Sequence, residues 1–219
     1  MFKKFQSLLS ENFLFLKDKK LLLATSGGID SMVMVDLFHK LHYKIAIAHC
    51  NFQLRNAESF EDEKFVVDYA HKHNIPIYTT KFDTQAFAND YKLSIQLAAR
   101  ELRYHWFDEL LEDENYDYIL TAHHTDDNLE TFLINLSRGT GLEGLTGIPE
   151  QNDQVIRPLL HFSRIEIEAY AQDNKIEWRE DTFAPKTRNY VEPRPAHDHH
   201  QAGQKTFRCI RHQLGTSWL

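Results

Sequence analysis

Two serines, two glycines and an aspartate stand together near the start of the sequence, in the run Ser-Gly-Gly-Ile-Asp-Ser at residues 26–31, called the Ser26 loop below. An apolar run precedes it and an apolar stretch with helical spacing follows it, so the pattern predicts a strand, a tight turn and a helix N-terminus. The first amide groups of a helix have no intrahelical partner and lie at the positive end of its dipole, so they bind anions. The glycines permit close approach and the serines add hydroxyl donors. The loop therefore predicts a phosphate site.

Asp30 is the unusual member of the Ser26 loop, because phosphates bound beside it would repel its carboxylate. A divalent cation between them would remove this repulsion, so Asp30 is interpreted as a Mg²⁺ ligand or as an acceptor for a substrate ammonium group. The alternative is an ordinary strand-to-helix turn in which Asp30 belongs to the first helical turn. The loop is not a Walker loop, because no Gly-Lys-Ser/Thr follows, and it lacks the Gly-x-Gly-x-x-Gly fingerprint.

A second group of acids lies in residues 121–131. Asp126 and Asp127 precede Glu130 by four and three positions, which places these side chains on one face of a helix. Carboxylates in this arrangement could coordinate Mg²⁺ through oxygen or bind the ammonium group of an amine substrate.

Two adjacent histidines, His123 and His124, precede these acids. A helix start capped by Thr125 or Asp126 is an alternative explanation of the acids, but it leaves the histidines unexplained. A zinc site is a further alternative, although neither a His-x-x-x-His spacing nor a cysteine partner accompanies the pair.

Arg100 and Arg103 stand three positions apart in a predicted helix, so they share a face, and their like charges would repel each other unless both reach an anion. Close to bound phosphates they could neutralise a triphosphate or a leaving pyrophosphate. The alternative is a solvated helix face on which Glu101 and Glu109 are surface partners.

Apolar runs of strand length alternate with stretches of helical spacing along the chain. Strands are predicted at residues 21–24, 44–50, 75–80, 117–122 and 155–160, and helices at residues 2–15, 31–41, 58–73, 94–112, 126–136 and 163–175. This alternation predicts an α/β fold with a Rossmann-like, mostly parallel sheet and helices on both faces. Ligands gather at the carboxyl ends of such strands, and His49, Asn51 and Arg55 follow the second strand as the His123 group follows the fourth. The polar clusters are therefore predicted to converge at the edge that carries the Ser26 loop.

The composition is that of a globular protein with enough apolar residues for a full core, since 42% of the 219 residues are hydrophobic. No apolar run reaches the roughly 18 residues that span a bilayer, and the first residues make a poor signal peptide, so a cytoplasmic protein with no membrane segment is predicted. Cys50 and Cys209 are too few for a disulfide framework, which agrees with a reducing compartment. The formal net charge of −7 does not favour nucleic-acid binding, and basic residues outnumber acidic ones only from Arg179 onward.

Six segments, taken together and in order, resemble the tRNA(Ile)-lysidine synthetase family of N-type ATP pyrophosphatases. They are residues 26–31, 49–55, 99–104, 121–131, 138–147 and 157–160, and the resemblance extends over about residues 21–181. It implies an adenine nucleotide alpha hydrolase-like fold, ATP and Mg²⁺ as cofactors, and a two-step ligase. ATP would adenylate the wobble cytidine C34 in the CAU anticodon of tRNA(Ile), and the ε-amino group of L-lysine would then displace AMP. The resemblance also makes a homodimer plausible.

The same resemblance implies roles for individual residues. The pyrophosphate of ATP would be held by the Ser26 loop, with Asp30 near Mg²⁺, while Arg100 and His123 would contact phosphate or the adenylate. The loop positions concerned are Ser26, Gly27, Gly28, Ile29, Asp30 and Ser31. Asp127 and Glu130 would bind the lysine ammonium group. Because such catalysis consists of charge neutralisation and positioning, the implied catalytic residues are Asp30, Arg100, His123 and Asp127.

The sequence departs from the family pattern after residue 181. A polar segment without periodicity, including His197, His199 and His200, predicts a disordered or aberrant tail over residues 182–219. These histidines could bind a metal, but a solvated tail is the simpler interpretation. Residues 1–181 are therefore predicted to be the catalytic domain. The C-terminal tRNA-binding domains of longer family members are expected to be absent, as in a truncated or frameshifted product.

Other functions stay open from the residues alone. A tRNA thiolase of the same superfamily would activate the nucleotide in the same way but deliver sulfur, which generally requires paired cysteines, and no Cys-x-x-Cys occurs. An NAD or GMP synthetase is disfavoured by residues 138–147. A catalytically silent nucleotide-binding remnant is the alternative from a different class.

Overall fold

A single six-stranded sheet organises the computed structural model, which describes residues 1–54, 57–139 and 146–180. The strands are β1 (Lys20–Ala24), β2 (Lys44–Asn51), β3 (Ile77–Lys81), β4 (Tyr118–Leu120), β5 (Gln151–Asn152) and β6 (Val155–Ile156). Their order is β3-β2-β1-β4-β6-β5, and the β5–β6 pair alone is antiparallel. The predicted α/β fold with a mostly parallel sheet is confirmed.

Helices cover both faces of this sheet, as predicted. They are α1 (Phe2–Asn12), α2 (Ile29–Lys40), α3 (Ala57–Lys72), α4 (Thr84–Tyr91), α5 (Ile95–Asp113), α6 (Thr125–Ser137) and α7 (Arg164–Asp173), with a 3₁₀ turn at Leu14–Leu16. None of these helices is long and apolar enough to cross a membrane. Side chains of α1, α2, α3 and α7 pack on one face of the sheet, and those of α5 pack on the other.

The central strand β1 shows why the sheet has two buried faces. Leu21 and Leu23 point into the core under α2 and α7, whereas Leu22 points into the core under α5. All three are fully buried. A continuous apolar run is the pattern of a parallel strand that is covered on both sides.

Serine caps set two of the helix boundaries where the sequence indicated them. The Ser94 hydroxyl accepts a hydrogen bond from the Leu97 amide at 3.2 Å, at the start of α5. Ser163 and Glu166 form a reciprocal capping box at the start of α7.

Several predicted element details are wrong. Helix α4, whose N-cap is Asp83, and the short strand β5 were not predicted. The strand predicted at residues 155–160 ends at Ile156, because Pro158 has no amide hydrogen for a sheet ladder.

The strand order places a topological switch point between β1 and β4. From β1 the chain crosses through α2 to β2 on one side, whereas from β4 it proceeds to β6 on the other side. In open α/β sheets, ligands bind in the crevice outside the carboxyl ends of the two strands at such a point. The Ser26 loop follows β1, and the two histidines follow β4.

Candidate active site

The Ser26 loop is a tight turn held by its own side chains. Gly27 has φ of +95°, a conformation that favours glycine, and a Cβ atom at this position would lie only 3.3 Å from Cγ2 of Val66. The Ser31 hydroxyl donates to the Gly28 carbonyl at 2.8 Å, and the Gly28 amide donates to the Ser26 hydroxyl at 3.3 Å. Gly28 is the N-cap of α2 and provides no side chain to cap it. The arrangement leaves the first turn of α2 suited to an anion.

The chain after α7 braces this loop, which the sequence analysis did not foresee. The Arg179 amide donates to the Gly27 carbonyl at 2.9 Å. The Arg179 guanidinium also pairs with Asp62 of α3. Trp178, the preceding residue, packs against the core. The segment after α7 is thus attached directly to the loop.

Two residues in the last part of β2, His49 and Asn51, lie beside the loop and support it. His49 is 3% exposed, and its Nδ1 lies 2.9 Å from the Thr25 carbonyl oxygen. Burial lowers the pKa of His49, so the ring is neutral and its Nδ1–H donates to that carbonyl. Asn51 is also buried and donates to Glu63 at 2.7 Å. Both positions lie at the predicted edge, but their contacts are those of a scaffold. Arg55 lies outside the described residues.

The Asp30 carboxylate is engaged by an arginine that the sequence analysis missed. Nη1 of Arg164, at the start of α7, donates to both carboxylate oxygens of Asp30 at 2.7 and 2.8 Å. Arg164 also donates from Nε to Glu168 at 2.7 Å. Asp30 and Arg164 are 134 positions apart in the chain, so no local pattern indicates the pair.

His124 lies between Asp30 and the acids of α6 and contacts both. His124 Nε2 is 3.7 Å from Asp30 Oδ1 and 3.6 Å from Asp127 Oδ2, and the ring is buried. The Asp126 carboxylate accepts the Arg164 amide at 2.8 Å. The N-termini of α2, α6 and α7 therefore meet at one place, and the positive ends of their dipoles favour the carboxylates gathered there.

The alternative explanation of the acids placed the cap of α6 at Thr125 or Asp126, and this position is wrong. The N-cap is His124, neither Thr125 nor Asp126, and the Asp127 carboxylate accepts the His124 amide at 2.9 Å. Histidine is an unusual N-cap, which is why the sequence pointed to its neighbours. Capping therefore accounts for one of the two histidines after all.

Glu130 lies one turn further along α6 than Asp127 and is partly exposed. In the part of the chain that the structure describes, no hydrogen-bond or ion-pair partner of its carboxylate is seen. Asp127, by contrast, has one oxygen committed to the helix start. The two carboxylates follow the strand beside β1, and the roles predicted for them in lysine binding stay predictions.

Positive charge collects on the α5 side of the same edge. His123 follows β4, Arg100 and Arg103 project from α5, and Arg157 follows β6; these four residues are called the arginine cluster below. Desolvation, and then the charges of Arg157, Arg103 and Arg100, lower the pKa of His123 to about 3. The imidazole is therefore neutral at physiological pH, and its Nδ1 lies 3.0 Å from the Thr121 hydroxyl. Such a cluster can neutralise phosphate without protonating it.

The two arginines of α5 each stack on an aromatic ring. The Arg100 guanidinium lies 4.8 Å above the Tyr104 ring, and that of Arg103 lies 5.1 Å above the Phe52 ring. Glu109 lies 3.4 Å from His105. Stacking on aromatic rings holds both cations in place near the edge.

The donor set around Asp30 fits a cation only together with a bound phosphate. Among the described residues, no group of three or more His, Cys, Asp or Glu side chains could hold a metal ion. Mg²⁺ is commonly bound by one or two carboxylates together with substrate phosphates, and Asp30 at the Ser26 loop supplies one such carboxylate. Residues 140–145 and 181–219, including the tail histidines, lie outside the described residues.

Comparison with known proteins identifies the family. The PP-loop domain family matches residues 1–193 of the chain. The chain belongs to this family. The Ser26 loop, at the end of the first strand, is accordingly interpreted as the PP-loop from here on.

Curated relatives make the assignment more specific. This PP-loop chain is 45% identical to a tRNA(Ile)-lysidine synthase of Porphyromonas gingivalis strain W83 over 172 residues, which are 78% of the chain and 38% of the relative. It is 43% identical to the tRNA(Ile)-lysidine synthase of Chlorobaculum tepidum over 183 residues, or 82% of the chain and 55% of the relative. The chain thus spans about two fifths to just over half of the length of these relatives.

Solved structures support the PP-loop fold at low sequence identity. The U34-tRNA thiolase NcsA from Methanococcus maripaludis superposes with a TM-score of 0.68 at 14% identity, covering 97% of this chain and 72% of the thiolase chain. The NH3-dependent NAD synthetase from Campylobacter jejuni superposes with a TM-score of 0.56 at 15% identity, covering 97% and 84%. At these identities the similarity concerns the fold alone.

Proposed function

We propose that the chain carries the catalytic domain of a tRNA(Ile)-lysidine synthase, an ATP-dependent ligase. One observation carries the proposal: His124 lies within 3.7 Å of both Asp30 and Asp127, so the PP-loop and the acids of α6 share one crevice. Transfer of an amine to an activated base requires a phosphate site and an ammonium site side by side. The identity of 43–45% to curated tRNA(Ile)-lysidine synthases supports the same function.

The PP-loop side of the crevice serves the first step. The loop amides and the hydroxyls of Ser26 and Ser31 bind the phosphates of ATP, as expected at a helix N-terminus. The cytidine C2 oxygen attacks the α-phosphorus, and the bond to pyrophosphate breaks. Arg100 and His123 face the charge that develops on the phosphates, and such preorganised donors stabilise a transition state. When Mg²⁺ is bound by the phosphates and Asp30, it neutralises part of their charge.

The α6 side of the crevice serves the second step. Asp127 and Glu130, one helical turn apart, bind the ε-ammonium group of L-lysine. A carboxylate in this position accepts a proton from the ammonium group, because only the neutral amine is a nucleophile. The amine then attacks C2 of the cytidine, and the C2–oxygen bond to AMP breaks. Both steps use positioning and charge, with no covalent enzyme intermediate.

The proposed reaction also has a specific RNA substrate, cellular compartment and oligomeric state. The RNA substrate is tRNA(Ile) with the CAU anticodon, the chain acts in the cytoplasm, and it works as a homodimer. The proposed catalytic domain comprises residues 1–181, and residues 182–219 lie outside its boundary. The family match extends to residue 193, twelve residues beyond the proposed boundary.

The function is tested by incubating the full chain with the CAU-anticodon tRNA, ATP, Mg²⁺ and labelled L-lysine. We expect label to enter the tRNA with equimolar release of AMP, and no label to enter a matched tRNA with uridine at the wobble position. Incorporation of sulfur from a sulfur donor would move the chain to the thiolases. Binding of ATP without any turnover would favour a nucleotide-binding remnant.

A further inference from the structure

Arg157 is a buried cation with no anionic partner in the part of the chain that the structure describes. Its side chain is 3% exposed, although it follows directly after β6 at the carboxyl edge. Nη1 donates to the Pro149 carbonyl at 2.9 Å. Burial lowers the pKa of Arg157, and the nearby Tyr104 side chain opposes this shift. Nε is buried and has no hydrogen-bond partner among the residues that the structure describes. Burial of a charge without a counter-ion is strongly unfavourable. We therefore expect Arg157 to have a function that offsets this cost.

The neighbours of Arg157 make the local charge more positive. Its charge acts on His123 together with those of Arg100 and Arg103, and Arg100 in turn acts on Arg157. A region that combines Arg157, Arg100 and Arg103 with a neutral imidazole favours a multiply charged anion.

We propose that Arg157 is the buried base of a phosphate subsite completed by Arg100, Arg103 and His123, at the β4–β6 end of the edge. Neighbouring strands lie about 4.8 Å apart, so the end of β6 is roughly 10 Å from the end of β1, where the PP-loop lies. The guanidinium fork with its free Nε matches the paired oxygens of a phosphoryl group. A single carboxylate would neutralise only one of the three arginine charges, whereas a polyphosphate or a run of backbone phosphates carries more than one negative charge. The phosphoryl group belongs to the polyphosphate of the nucleotide or to the RNA backbone. The choice of these two sources rests on the proposed function, whereas the subsite itself does not.

The subsite is tested by titrating the full chain with inorganic pyrophosphate, and separately with a CAU anticodon stem-loop RNA, by calorimetry. Arg157→Met removes the charge at similar volume, and Arg157→Lys keeps a point charge without the fork. Arg138→Met, at the exposed end of α6, is the matched loss of one positive charge outside the cluster. The unfolding temperature of each free variant shows which of them are folded. If Arg157→Met does not fold, Arg157→Lys carries the comparison.

We expect the folded Arg157 variants to bind at least one of the two probes about tenfold more weakly, while Arg138→Met binds both as the wild type does. Weaker binding of pyrophosphate alone would assign the site to the nucleotide. Weaker binding of the stem-loop alone would assign it to the RNA backbone. Unchanged affinity of the folded Arg157 variants for both probes would make Arg157 a structural residue and overturn the inference. Since no lysine transfer is measured, failure of the proposed ligase would leave this result intact.

Discussion

Replacement of Asp30 by asparagine is expected to slow pyrophosphate release by at least about a hundredfold while the protein remains folded. The amide keeps the shape of the side chain but removes the charge that Arg164 Nη1 holds at 2.7 and 2.8 Å, beside the proposed phosphate site. The helix start itself does not depend on that charge, because Gly28 is the N-cap of α2. The measurement is release of pyrophosphate from ATP with tRNA present and lysine absent.

Asp36→Asn provides the matched control for this variant. Asp36 lies on the same helix but away from the edge, where it accepts the Tyr170 hydroxyl at 2.8 Å and pairs with Lys40 at 2.9 Å. We expect this change to lower the unfolding temperature and to leave pyrophosphate release unchanged. A wild-type rate in Asp30→Asn would remove Asp30 from the proposed machinery.

The second large effect is expected on α6, where the double variant Asp127→Asn with Glu130→Gln should lose lysine transfer but retain pyrophosphate release. Hydrogen bonds to charged groups are stronger than neutral ones, so loss of both carboxylates should raise the KM for lysine by about a hundredfold or more. The asparagine oxygen can still accept the His124 amide, which keeps the helix start intact. Labelled lysine incorporation and pyrophosphate release are measured on the same samples.

Asp126→Asn is the control on the same turn of α6. Its carboxylate is half-exposed and accepts the Arg164 amide, so it has a structural contact outside the proposed lysine site. We expect its KM for lysine to match that of the wild type. Equal loss of both steps in the double variant would mean that Asp127 and Glu130 support the nucleotide site and do not select lysine.

The parts of the fold that the sequence predicted correctly have local causes. The run Leu21–Leu23 is buried on both sides of the sheet, so its composition alone indicated a central parallel strand. Ser94 caps α5 through its own hydroxyl, which is a signal within four residues. The placement of the polar clusters at one edge follows from the rule that all parallel strands end on the same side.

The parts that were missed depend on residues far apart in the chain. Arg164 holds Asp30 across 134 positions, and the Arg179 amide reaches Gly27 from the other end of the domain. A sequence pattern cannot show such pairs, because only the packing of α7 on α2 brings them together. The burial of Arg157 was equally invisible, since arginine is rarely buried and its position after a two-residue strand resembles a surface turn.

A crystal structure of the full chain with a non-hydrolysable ATP analogue and L-lysine tests the central claim most directly. That claim is a single crevice that holds ATP on the PP-loop and lysine on α6. We predict phosphate oxygens at hydrogen-bond distance, about 3 Å, from the amides of the PP-loop, and the lysine ε-nitrogen at a similar distance from Asp127 and Glu130. A nucleotide bound away from the PP-loop, or a lysine bound on another face of the sheet, would contradict it.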